Sequence, residues 1–183
     1  VAMVCLLVPA AVSAQTARSV FTAHLTSSIG AAHGGDMHQI DWAPSVSMAI
    51  VDLNGFGAEV DLSHVREFDS DRFVESGITT LMANLTWIWP DVDSRYRPYV
   101  VAGAGVMRVR ACDADCQLRI RRTDWAVDAG GGVFLMFNEA WAARGDLRYV
   151  RFLESHGDLP LTNSGAFDFW RTSVGIVYSW PMR

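Results

Sequence analysis

The sequence contains no lysine; all fifteen basic residues are arginine. No functional reading attaches to that choice, but the charge balance excludes a class. The formal net charge is −5, and the arginines form no basic patch of the kind that binds nucleic acid. Long apolar runs are also lacking, although 50% of the residues are hydrophobic. The one uninterrupted apolar stretch runs from Val1 to Val12, shorter than the roughly 20 residues a membrane-spanning helix needs. With Ser13-Ala14-Gln15 after it, this stretch has the form of a secretory signal peptide, cleaved after Val12-Ser13-Ala14. The expected organisation is therefore a signal peptide over residues 1–14, lacking its Met and basic n-region, and one domain over residues 15–183.

Cysteine is scarce, with three residues. Cys5 falls in the signal segment, and Val4 before it is not the small residue that lipidation requires. Cys112 and Cys116 remain, and in an exported protein such a pair is expected to form a disulfide. Free thiols are one alternative. A metal pair is another, but no further Cys or nearby His completes a site, so no metal is expected. No motif calls for a cofactor either.

What is present is tryptophan: Trp42, Trp87, Trp89, Trp125, Trp141, Trp170 and Trp180. Each lies at the end of a segment of alternating character, and each on its apolar side. A soluble protein hides tryptophan inside, whereas a membrane barrel places it outside, in belts at the two water–lipid boundaries.

From Ser19 onward the period is two, the strand signal. In Ser19 to Gly30, Phe21, Ala23, Leu25 and Ile29 oppose Thr22, His24, Thr26 and Ser28. In Trp42 to Val51, Trp42, Val46, Met48 and Ile50 oppose Ser45, Ser47 and Ala49. Similar alternation fills Phe56 to Val65, Ile78 to Trp89, and Pro98 to Val109, where the side carrying Gly103 and Gly105 is assigned inward. Three more segments begin near Trp125, Trp141 and Trp170. Eight is an even number, and each segment approaches the roughly 9–11 residues of a tilted spanning strand.

The connections alternate in length. Short ones are Asp52 to Gly55, with an Asn54-Gly55 hairpin signal, and Asn138-Glu139. Long polar ones are Ala31 to Asp41, Arg66 to Ser76, Ala111 to Arg122 and Leu153 to Ala166. This is the asymmetry of periplasmic turns and extracellular loops. The expected fold class is all-β: an eight-stranded antiparallel up-and-down transmembrane β-barrel. A soluble barrel of lipocalin type would put its polar face in water. Here that face is mostly Gly, Ser, Thr and Ala, with few charges, which suits a narrow closed interior instead.

The chain resembles the small outer-membrane β-barrels of OmpA/OmpX type. The resemblance rests on Pro98-Tyr99-Val100-Val101-Ala102-Gly103-Ala104-Gly105-Val106, Asp146-Leu147-Arg148-Tyr149 and Gly175-Ile176-Val177-Tyr178-Ser179-Trp180. It covers Ser19 to the C-terminus. One departure is that Trp180 is followed by Pro181-Met182-Arg183, where such barrels usually end on an aromatic residue. The resemblance implies a bacterial outer membrane location reached through the secretory pathway. The partners it implies are outer-membrane lipid, lipopolysaccharide and the outer-membrane assembly machinery, with a surface ligand that no residue identifies.

Strand parity assigns a polar network to the lumen: Glu59, Asp61, Asp124, Asp128, Arg144, Asp146, Arg148 and Arg171. In a low-dielectric interior such charges must pair, as a structural filling or as a gate of exchanging partners around a narrow conduit. The expected role is structural or surface-interacting, without catalysis. The rival is a lipid A-modifying enzyme of deacylase type, which needs a Ser nucleophile beside a His base. Its candidates are Ser63-His64, which parity sends to opposite faces, and Glu154-Ser155-His156 in a loop. His33 and His38, with Asp36 between them, stand in a Gly-rich stretch that reads as loop. On this parity Val174→Arg is expected to block insertion and Gly175→Ser to be milder.

Overall fold

The structure, a computed structural model, describes residues 21–34, 37–66, 75–89, 95–112, 119–153 and 168–182. The signal segment lies outside them, as does Cys116. Every regular element among the described residues is a β-strand: β1 (Phe21–Gly34), β2 (Met37–Trp42), β3 (Ser45–Val51), β4 (Phe56–Arg66), β5 (Glu75–Ile88), β6 (Tyr96–Cys112), β7 (Arg119–Met136), β8 (Trp141–Leu153) and β9 (Asp168–Met182). All pairings are antiparallel between neighbours, and β1 also pairs with β9, closing the sheet.

Nine strands make eight staves, because β2 and β3 are one stave interrupted at Ala43-Pro44. The register against β1 is the same on both sides of the interruption, with Ala31 opposite Trp42 and Ser28 opposite Ser45. The Ala43 N–H donates to the Gly30 carbonyl at 2.7 Å, and the His64 N–H donates to the Pro44 carbonyl at 3.0 Å. Proline has no N–H, so one ladder bond is lost while the stave continues.

The registers fix the barrel's geometry. Stepping sideways from Thr22 passes through Val51, Gly57, Thr86, Val101, Gly130, Arg148 and Arg171, and returns to β1 at Ala32, ten residues along. Such a stagger in eight staves means a strand tilt of roughly 40° and an interior just wide enough for side chains.

Parity is as the alternation predicts. Leu25, Ile29, Val46, Met48, Val60, Leu81, Leu85, Val100, Leu147, Val174 and Ile176 are exposed on the outside. The glycine side of β6 faces inward, with Tyr99, Val101 and Met107 buried. A lipocalin arrangement requires the reverse, so the soluble alternative fails.

The aromatic residues form two belts. At the short-turn end, Phe56 stacks on Trp87, which packs at a tilt against Trp89, and Trp141 packs at a tilt against Tyr178, which stacks on Trp180. At the other end are Trp42, Trp125, and Tyr149 against Trp170. Along β9, Trp170 and Trp180 are ten residues apart. At roughly 3.3 Å per residue and roughly 40° of tilt, they differ in height by about 25 Å, the height of a lipid-facing band.

Short turns form as their residues dictate. The Asp52 carboxylate accepts the N–H groups of Asn54 and Phe56, both at 2.9 Å, and Gly55 adopts φ 88°. The Asn138 side chain accepts the N–H groups of Ala140 and Trp141 at 2.9 and 2.8 Å. These are the side-chain-to-backbone bonds that make Asp and Asn turn residues. The long connections need correction. Ala31 to Gly34, Met37 to Asp41, Arg66, Glu75-Ser76, Ala111-Cys112 and Arg119 to Arg122 are strand, so hairpins continue past the belt before the loops begin.

One glycine carries more constraint than its lumen-facing parity alone suggests. A Cβ at Gly175 would lie 2.6 Å from the Ser27 carbonyl oxygen and 2.6 Å from Ser28 Cβ. Gly175→Ser is therefore expected to carry a cost of its own, because β1 pairs there too closely to leave room for a Cβ.

Candidate functional site: the ion-paired layer of the lumen

The lumen is filled in three layers. At the long-loop end Val65, Ile78, Met82, Met107, Phe152 and Phe169 belong to one buried apolar cluster. At the short-turn end Val51, Ile88, Tyr99, Val101, Phe134 and Val177 belong to another. Between them is a charged layer.

Period two on β8 places Arg144, Asp146 and Arg148 inward in succession, and all three are buried. Arg148 Nη2 donates to Glu59 Oε1 at 2.6 Å, its Nη1 to Asp128 Oδ2 at 3.3 Å, and its Nε to Asp146 Oδ2 at 2.8 Å. Arg144 Nη1 donates to Glu59 Oε2 at 2.6 Å and its Nη2 to Asp146 Oδ2 at 3.1 Å. Arg171 Nη1 donates to Asp61 Oδ1 at 2.8 Å. Seven of the eight residues assigned to the lumen network are thus in these ion pairs. Asp124 lies on the same face of β7 four residues from Asp128, half-buried, and is not among them.

Neutral groups complete the layer. Tyr99 Oη accepts from Arg144 Nε at 2.7 Å and donates to Asp146 Oδ2 at 2.8 Å. Ser173 Oγ donates to Asp146 Oδ1 at 3.0 Å, and Ser47 Oγ to Glu59 Oε2 at 3.4 Å. The Asn84 amide fits with its nitrogen toward Asp128 Oδ1 (2.9 Å) and its oxygen toward Arg148 Nη1 (2.8 Å). Sequence reasoning left Tyr99, Asn84, Ser47 and Ser173 out of the network. Their inward parity was the available signal. The Arg144 guanidinium also lies over the Tyr99 and Phe134 rings, at 4.6 and 5.4 Å from their centroids.

Toward the short-turn end a cavity of about 330 Å³ opens, lined by His24, Trp89, Arg97, Phe134, Met136 and Ser179 among others. His24 Nδ1 and Ser179 Oγ are 2.7 Å apart there. Beyond Phe134 a separate void of about 10 Å³, room for about one water, reaches Glu59, Tyr99 and Arg144. Val51, Ile88 and Phe134 of the apolar cluster line both.

The candidate catalytic pair does not assemble. Ser63 is buried, with Oγ 2.6 Å from Thr80 Oγ1, while His64 is on the outside, with Nδ1 2.9 Å from Thr79 Oγ1. Glu154, Ser155 and His156 lie outside the described residues, as does Asp36. His33 Nε2 is 2.9 Å from Thr172 Oγ1. Among the described residues no cluster of His, Cys, Asp or Glu is arranged to hold a metal.

A closed eight-stave barrel with an apolar exterior band, two aromatic belts and an ion-paired lumen has the fold of the small outer-membrane barrels. Solved structures share it. Neisserial surface protein A superposes with a TM-score of 0.65 at 14% identity, over 86% of this chain and 96% of that one. The N-terminal β-barrel domain of Pseudomonas aeruginosa OprF gives 0.59 at 16% identity, over 87% and 97%. The outer membrane protein OprG of Pseudomonas aeruginosa gives 0.58 at 10% identity, over 88% and 96%. No protein-family model matches the chain, and no curated protein sequence does.

Proposed function

We propose that this protein is a bacterial outer-membrane barrel, exported through the secretory pathway, that serves as a closed scaffold for surface loops. The short turns and both strand ends of the β1–β9 seam face the periplasm, and the long connections face the cell exterior. The observation that carries the reading is the filling of the lumen. Among the described residues two apolar layers flank a buried ion-paired layer that reaches across the barrel from β4 to β8, which favours a closed interior with its working surfaces on the exterior and the loops. The division of Ser63 and His64 between two faces supports a non-enzymatic role.

Reconstitution tests this. The full chain is refolded into lipid vesicles, its insertion read by heat-modifiable gel mobility, and then fused into planar bilayers. Insertion without stable conductance steps is the expected result. Steady, voltage-independent conductance in the parent protein overturns the closed scaffold in favour of a conduit.

A further inference from the structure

The short-turn end of the lumen holds polar groups that the fold itself does not satisfy. His24 lines both the vestibule and the small void beyond Phe134. Its Nδ1 is bonded to Ser179 Oγ, and among the described residues its Nε2 has no hydrogen-bond partner. Thr86 borders the same void; it is 6% exposed, and its Oγ1 has no partner among the described residues. Gly57 keeps that place open, since a Cβ there would lie 2.9 Å from Thr86 Oγ1 and 2.8 Å from Val51 Cγ2. Buried polar groups left so cost stability and call for a partner from outside the fold.

The His24–Ser179 pair sets the chemistry of that partner. A neutral imidazole has one donor and one acceptor nitrogen. If Nδ1 accepts the Ser179 hydroxyl proton, Nε2 keeps an N–H and Ser179 Oγ keeps a lone pair. If Nδ1 donates to Ser179, Nε2 accepts and the hydroxyl proton is free. Either tautomer leaves one donor and one acceptor. A head group that both donates and accepts answers either; a carboxylate only accepts, and an ammonium only donates. The wall charges agree with an uncharged ligand. Arg97 and Glu139 are of opposite sign, and the Asp52 carboxylate is committed to its turn through Asn54 and Phe56. Most of the remaining wall is apolar, including Leu53, Ile88, Trp89, Phe134 and Met136. A volume of about 330 Å³ with an apolar lining and a few placed polar groups is the form of a small-molecule site.

We propose that the vestibule binds a small uncharged amphiphile. Its flat apolar body lies against Trp89, Phe134 and Met136, and its amide or hydroxyl head lies on the His24–Ser179 pair. This goes beyond the scaffold role, which gives the vestibule no task.

The test uses the refolded full chain in phosphatidylcholine nanodiscs at pH 8, with methionine methyl groups labelled with carbon-13. Heat-modifiable mobility confirms that each sample is folded. Benzamide, benzoate and benzylammonium, which share a ring and differ in charge, are titrated by NMR. Met136 lines the vestibule, while Met48, 53% exposed on the lipid face, reports partition into the bilayer. Benzamide is expected to shift Met136 saturably and leave Met48 in place, with both ions about tenfold weaker or worse. Ser179→Ala should weaken benzamide about tenfold, the scale of one hydrogen bond, and His24→Phe should weaken it too. Ser45→Ala, at the long-loop end, should match the parent. If His24→Phe fails to fold, Ser179→Ala decides. No shift at Met136, an unsaturated shift shared with Met48, tighter binding of either ion, or parent-like affinity in Ser179→Ala overturns the site. None of these outcomes touches the conductance measurement, which judges the scaffold reading separately.

Discussion

Arg148 and Glu59 meet across the whole diameter of the barrel. β8 and β4 are four staves apart in a ring of eight, yet Arg148 Nη2 and Glu59 Oε1 are 2.6 Å apart, both side chains 1% exposed. The same carboxylate holds Arg144 on its other oxygen at 2.6 Å. Glu59 is therefore the shared anchor of two cationic struts, and each of its oxygens has a charged donor.

Removing that anchor should be costly. Glu59→Gln leaves two buried guanidiniums short of a counter-charge, and breaking such a buried pair costs about 3–5 kcal/mol. Urea unfolding from lipid vesicles, followed by tryptophan fluorescence, measures it. A loss below about 1 kcal/mol, the scale of an exposed pair, would show that the layer fills space without binding the staves together.

The exterior and the seam give a second set of outcomes. Val174 is 63% exposed on the lipid face, so Val174→Arg should cost ~2–4 kcal/mol near the midplane. Gly175→Ser should also destabilise, by about 1–3 kcal/mol, as an overpacked site does. A Cβ at Gly145 would meet nothing within 4 Å, so Gly145→Ala should be neutral or slightly stabilising. Heat-modifiable mobility and urea midpoints rank the three. Parent-like behaviour of Gly175→Ser would count against the β1–β9 register.

Orientation is checked on intact cells. Single cysteines at Asp36, Ser70, Ala114 and Gly157, with Cys112 and Cys116 replaced, should react with an impermeant thiol reagent. Cysteines at Asn54 and Glu139 should react only after the cells are opened. Strong labelling at Asn54 with none at Asp36 would invert the topology.

Cys112 closes β6, opposite Arg119 on β7, so the segment reaching Cys116 begins where the hairpin ends. A disulfide between them should form during export and change global stability little, since so short a ring constrains the unfolded chain weakly. Alkylation with and without reduction, followed by intact mass, decides it. Two thiols modified without reduction exclude the bond.

The fold was legible because a barrel obeys period two along every stave. Lipid and lumen select opposite residue types, and even the glycine side of β6 was placed correctly. Seven charged members of the ionic layer followed from the same rule, while Asp124, on the same face, is outside its ion pairs. Its pairings did not, because which carboxylate faces Arg148 depends on a ten-residue stagger accumulated around the ring, and no local pattern encodes that sum. Tyr99 was read as inward but not as polar, since its hydroxyl acts only once Arg144 and Asp146 arrive beside it. Strand ends such as Arg119 to Arg122 escaped notice because, beyond the lipid, no solvent contrast forces their residues to alternate.

The β1–β9 seam carries thirteen registered residue pairs, from Phe21 with Met182 to His33 with Trp170. Its two strands are farthest apart in sequence: His24 and Ser179, which touch across it, are separated by 155 residues. A chain emerging from its N-terminus cannot make this contact until its last strand is available. Until then both edges of the sheet expose unpaired backbone, a template for pairing with other chains. Closure is thus a single late event with a large loop-closure cost, and transit to the membrane must keep the chain open and shielded until the end.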